Sequence, residues 1–216
     1  MTGGVTYKSV RLEASGFHGR EPDEFRWNVD SGAIDSWSTR LTFQPGQNWS
    51  AQYSIAHLSS PKELHPNEDV RRMTASVMYN RMLKDGSWSS LLLWGHNHVL
   101  QSGENFNGYL LESTLRFAKR NAVWSRIENV DRTTELLLGK RPEPVGFDET
   151  FLARVQAYSV GYDHDFPIIP QLSTALGAQV TFYHKPGFLT PIYGDHPAGV
   201  IVFLRIRPVG SMHMHH

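Results

Sequence analysis

The chain has 216 residues, and its basic and acidic side chains (21 each) cancel to a formal charge of zero. That balance leaves no electrostatic footprint for nucleic acid, and the absence of cysteine excludes both a disulfide scaffold and a thiolate zinc site. Hydrophobic residues make up 40% and charged residues only 19%, and no run approaches the roughly 18 apolar residues of a membrane helix.

The opening Met1-Thr2-Gly3-Gly4 carries neither a basic region nor an apolar one, so no signal peptide is read there. From there the dominant pattern is alternation of period 2, which argues for strands with two unlike faces. About ten strands are expected, over 5–17, 33–44, 48–58, 69–82, 87–98, 107–119, 122–131, 151–164, 171–184 and 198–207. In the third, Trp49, Ala51, Tyr53 and Ile55 oppose Ser50, Gln52 and Ser54. In the fourth, Met73, Ala75, Val77 and Tyr79 oppose Thr74, Ser76 and Asn80. Leu111, Leu115 and Phe117 oppose Glu112, Thr114 and Arg116, and Leu176, Ala178, Val180 and Phe182 oppose Gly177, Gln179 and Thr181. A short helix is allowed only at 132–141, around Leu136-Leu137-Leu138.

The connections carry as much information as the strands. Pro45-Gly46-Gln47, Lys84-Asp85-Gly86 and Arg120-Asn121 read as tight turns, with Phe166–Pro170 somewhat longer. Longer loops fall at 18–32, 59–68, 99–106, 132–150 and 185–197. Long and short connections then alternate, placing all long loops at one end and both termini with the short turns. An even strand count, segments of about ten residues and this asymmetry describe an antiparallel up-and-down transmembrane β-barrel. Aromatics flanking the short turns (Phe43 and Trp49, Tyr79 and Trp88, Phe117 and Trp124, then Phe166) suit an interfacial girdle.

In its general style, carried by phrases such as Trp49-Ser50-Ala51-Gln52-Tyr53-Ser54 and Ser90-Leu91-Leu92-Leu93-Trp94-Gly95, the chain resembles outer-membrane β-barrel proteins of Gram-negative bacteria. It is also similar to uncharacterised outer-membrane proteins with longer N-termini, which implies a C-terminal portion of such a protein. The resemblance implies an outer-membrane location and no specific activity. One departure is that the last strand runs into Arg207-Pro208 rather than ending on an aromatic residue. A single barrel domain is expected over 1–208, followed by a flexible His/Met-rich tail over 209–216.

Three sets of residues are candidates for function. The polar face is expected to line a lumen with Arg11, Glu13, Arg40, Arg72, Glu112, Arg116, Arg126, Glu128 and Arg154, filled by cross-strand ion pairs. Such a barrel is narrow, and its role is structural or the passage or binding of small solutes. Histidines collect at the long-loop end (His18, His57, His65, His96, His98, His184 and His196), and His96, His98, His213 and His215 are candidate metal ligands. Asp195-His196 and Asp163-His164-Asp165 offer Asp/His pairs to a barrel hydrolase, but no nucleophile elbow, phosphate loop or zinc-protease motif accompanies them, and an enzyme is not the favoured reading. No cofactor is expected. The expected partners are the outer-membrane bilayer and small solutes or metal ions. The alternative is a soluble β-barrel or sandwich with its apolar face turned inward around an apolar ligand.

Overall fold

A computed structural model describes residues 1–21, 32–61, 67–133, 137, 152–169 and 172–208. The short helix expected at 132–141, His65 and the 209–216 tail fall largely or wholly outside those residues. The fold is all-β. Eleven strands form one antiparallel up-and-down sheet in strict chain order. They are β1 (Thr2–Tyr7), β2 (Val10–Phe17), β3 (Ser36–Phe43), β4 (Trp49–Leu58), β5 (Val70–Leu83) and β6 (Gly86–Val99), then β7 (Asn105–Phe117), β8 (Asn121–Thr133), β9 (Leu152–Ile169), β10 (Leu172–His184) and β11 (Ala198–Pro208). Between β10 and β11 the chain makes a 3-10 turn at Gly187–Leu189 and one α-turn at Thr190–Tyr193.

Eleven strands stand where about ten are expected. The segment 5–17 is a hairpin, in which Tyr7 faces Val10 across a two-residue turn at Lys8-Ser9. Lys8 adopts a left-handed φ of 50°. Neither turn residue is Gly, Asn or Asp, so the usual punctuation is missing. The extra strand moves the N-terminus to the long-loop end, where the Met1 amino group donates to the Gly16 carbonyl at 2.6 Å. The described chain therefore enters β1 and leaves β11 at opposite ends of the sheet, and the number of strands among the described residues is odd. The connection Leu100–Glu104 is as short as the one at 44–48, so loop lengths alternate less strictly than expected. Strand β9 also runs on through Phe166, which faces Thr174 of β10 rather than sitting in a turn.

Cross-strand register fixes which residues share a face. One continuous row reads Phe43, Ala51, Val77, Leu92, Leu111, Ile127, Tyr158 and Phe182 across β3–β10. The row on the opposite face one residue away holds Ser50, Met78, Leu91, Glu112, Arg126, Ser159 and Thr181. Large apolar side chains stand exposed on the first face, with Leu92 at 56%, Phe182 at 56% and Val202 at 69%. The second face buries small and polar groups, among them Ala153, Ala175, Asp163 and Thr181.

The polar face is the concave one. Trp124 of β8 reaches two strands over to β10, donating from Nε1 to Gln179 Oε1 at 2.8 Å, and meets Phe203 of β11, its ring centroid 5.9 Å away. Three flat strand spacings would put β8 and β11 about 14 Å apart. Gly161 permits this approach, since a Cβ there would lie 2.2 Å from the Trp124 ring. Trp124 thus belongs to the concave interior and not to an aromatic rim. The rim aromatics that do assemble on the convex face are Trp49, Tyr79 and Trp88, with successive centroid distances of 4.7 and 5.2 Å.

Candidate functional site: the polar concave face

The concave face is built by the second residue of each alternating pair. Of the nine residues expected to line it, Arg11, Glu13, Arg40, Arg72, Glu112, Arg116, Arg126 and Glu128 lie there by register. Arg154 does not. It pairs with Asp131 and shares the convex face with Tyr158, Val160 and Tyr162. The parity of β9 explains this: Ala153, Ala157 and Gly161 point inward, and every even-numbered neighbour points out. Arg154 is bidentate to Asp131, at 2.8 and 2.9 Å, and Asp131 also accepts the Asn107 backbone N–H. This ion pair sits near the long-loop end of the convex face, where a carboxylate and a guanidinium satisfy each other.

The expected ion-pair ladder forms in part. Glu112 faces Arg126 across β7 and β8 at 3.4 Å, and Arg126 also contacts Glu128 at 2.8 Å. Arg116 faces Ala122 and has no ionic partner among the described residues. A second cluster sits lower on the same face: Arg205 bridges Asp163 at 2.6 Å and Asp165 at 3.4 Å, and Arg207 lies 3.8 Å from Asp165. The sequence reading missed this cluster because it treated Asp163 and Asp165 as parts of an Asp/His motif. Parity was the available signal. The intervening His164 points to the convex face, beside Phe166.

Two adjoining depressions open on the concave side. One, of about 440 Å³, is lined by Arg40, Arg72 and Glu13 with the hydroxyls of Thr2, Ser15, Ser38, Ser54 and Thr74. Arg40 has no bonded partner among the described residues, whereas Arg72 donates from Nε to Asn97 Oδ1 at 2.9 Å. The other, of about 290 Å³, lies over Gly95 and Gly108, which face each other across β6 and β7, with Arg72 and Arg132 at its sides. A Cβ on Gly95 would meet nothing within 4 Å, so this floor is open space. At the long-loop end the concave face closes on an apolar cluster of Leu58, Val70 and Val99, against which Phe17 and Phe106 pack. Arginines outnumber carboxylates on this face, where Arg11, Arg40, Arg72, Arg116, Arg126, Arg132, Arg205 and Arg207 meet Glu13, Glu112, Glu128, Asp163 and Asp165.

The histidine candidates stand apart from this groove. His96 and His98 share the convex face, as their spacing requires. Each imidazole Nδ1 lies 2.9 Å from an asparagine Oδ1, that of Asn107 for His96 and of Asn105 for His98. Among the described residues no three His, Cys, Asp or Glu side chains are grouped to hold a metal ion. His213 and His215 lie outside those residues. Asp195 and His196 sit in the exposed turn after Tyr193 with no bonded partner among the described residues.

No family model and no curated protein matches this chain. Among solved structures it is similar to an anion-selective porin from Comamonas acidovorans, at 12% sequence identity and a TM-score of 0.49. The likeness covers 85% of this chain and 48% of the porin, so the chain spans about half of that protein's length. None of the helices is long and apolar enough to cross a membrane, among the described residues.

Proposed function

We propose that this chain is the membrane-spanning sheet of an outer-membrane β-barrel whose polar concave face lines a path or binding surface for small polar solutes, with anions favoured. One observation carries the reading: exposed apolar side chains cover the convex face while charged groups and hydroxyls line the concave one. In water that arrangement leaves far more apolar surface exposed than a soluble domain tolerates; in a bilayer it is the stable one. The soluble alternative needs the opposite curvature, with Leu41, Tyr53 and Val77 turned inward. The surplus of arginine over carboxylate on the concave side supports the preference for anions. The role calls for no cofactor, and among the described residues Asp195 and His196 stand without a bonded partner.

The test is reconstitution. The chain is expected to stay monodisperse in detergent and to precipitate or form soluble aggregates in plain buffer; a monodisperse species without detergent would dismiss the membrane reading. Gly95→Leu places a side chain in open space on the floor of the groove. It is expected to leave folding intact, as read by circular dichroism, and to lower small-anion flux or binding in liposomes several-fold. Unchanged anion transport in a folded Gly95→Leu protein would remove the groove from the path.

A further inference from the structure

On the convex face, near the long loops, cross-strand register aligns Trp37, His57, Arg71, His98 and Asn105 on five neighbouring strands. Arg71 lies between the two imidazoles, is exposed, and has no bonded partner among the described residues. Trp37 stacks on His57 with centroids 6.5 Å apart and planes 21° from parallel. His57 lies 3.8 Å from Asp69, and His98 is held by Asn105, so the side chains around Arg71 are positioned while its guanidinium is uncommitted.

An unpaired arginine on a lipid-facing surface is costly within hydrocarbon and favourable at the headgroup level, where it meets anions. Its height agrees with the second environment. Tyr53, Ala75, Trp94 and Tyr109 form a row four residues nearer the short turns, about 13 Å along the strands. Those aromatics suit the upper edge of the hydrocarbon. The same row opens a second feature. An apolar groove of about 490 Å³ lies over the small side chains Ala51 and Ala75, walled by Phe43, Tyr53, Leu92 and Trp94. An anion-binding row and an acyl-sized groove thus follow one another down one face.

We infer that this surface seats a membrane lipid with a phosphate-bearing headgroup, the phosphate on Arg71 between His57 and His98 and an acyl chain in the groove over Ala51 and Ala75. A guanidinium forks onto two phosphate oxygens, and the flanking imidazoles bound the seat on either side. The inference rests on the membrane reading proposed above, and the experiment separates the two. The whole chain is folded into neutral detergent micelles and offered phosphatidylglycerol, phosphatidylcholine or inorganic phosphate, with retained lipid read by native mass spectrometry. The wild type is expected to retain phosphatidylglycerol about tenfold over phosphatidylcholine. Arg71→Gln should abolish that preference while keeping the β-sheet circular dichroism. Ala75→Leu, which fills the groove, should weaken retention of both lipids and leave the preference. A preference that survives Arg71→Gln, or one displaced by millimolar inorganic phosphate, overturns the lipid site. A chain that takes up neither detergent nor lipid overturns the membrane reading and the site with it.

Discussion

Single residues set the two faces, and the most informative ones break a local rule. Arg154 stands on the convex face with Asp131 as its partner. Gly161 makes room for the Trp124 ring, which then ties β8 to β10 and β11. In the loop region before β3, Asp35 organises the chain. It accepts from the Gly19 backbone N–H at 2.9 Å and from Ser36 Oγ at 2.8 Å, and lies 2.8 Å from His18 Nδ1. The Gly19 hydrogen bond, followed by those of Ser36 and His18, holds the Asp35 carboxyl below its ordinary value of 3.8. A carboxylate depressed in the folded state contributes stability above its unfolded pKa and loses it as pH falls through the folded one. The 19–35 anchor is therefore expected to be intact at neutral pH and released only below about pH 3.8. The Gly19 amide proton reports this by NMR, since its shift should titrate with a midpoint under 3.8; a midpoint at or above that value, or none, refutes the assignment.

Among elements, the strands were the most legible in the sequence and the turns the least. Nine of the expected segments became strands with ends moved by a few residues, because period-2 alternation survives on any sheet with unlike faces. The tenth hid the β1–β2 hairpin, since Lys8-Ser9 carries no turn signal. The β7–β8 connection failed for the same reason. It was assigned to Arg120-Asn121, yet the chain reverses at Ala118 and Lys119, with φ of 48° and 63°. Left-handed backbone costs an L-residue about 1–2 kcal/mol, against which glycine's greater unfolded-state freedom offsets part. Ala118→Gly should thus stabilise the protein by about 0.5–1 kcal/mol. Urea unfolding in lipid vesicles reads this as a higher midpoint, and a lower midpoint would mean that the turn is not strained. The concave face was legible as a set of residues, eight of nine, because parity alone selects it. Its depressions were not, since each is lined by residues, such as Thr2 and Arg72, from strands distant in sequence.

At the scale of the whole molecule, the odd number of strands among the described residues has a geometric consequence. β1 and β11 both run from the long-loop end to the short-turn end, and they do not pair with each other among the described residues. A barrel in lipid tolerates no open edge. Antiparallel closure of this sheet takes an odd number of added strands, because the first and last of them must run against β1 and β11. A second copy in the same membrane does not supply this, since its two edges point the same way and any seam with it would be parallel. The β11 edge is also the more apolar of the two, with Val200, Ile201, Val202 and Leu204 all more than half accessible. The chain has no cysteine, so paired cysteines report distances cleanly. Leu115→Cys with Val123→Cys, register partners on β7 and β8, should join through a short thiol cross-linker within one chain. Val5→Cys with Val202→Cys, on the two edges, should not join within one chain in detergent. Efficient intrachain cross-linking of the second pair would show that β1 and β11 meet directly, closing the barrel through a parallel seam and removing the need for any further strand.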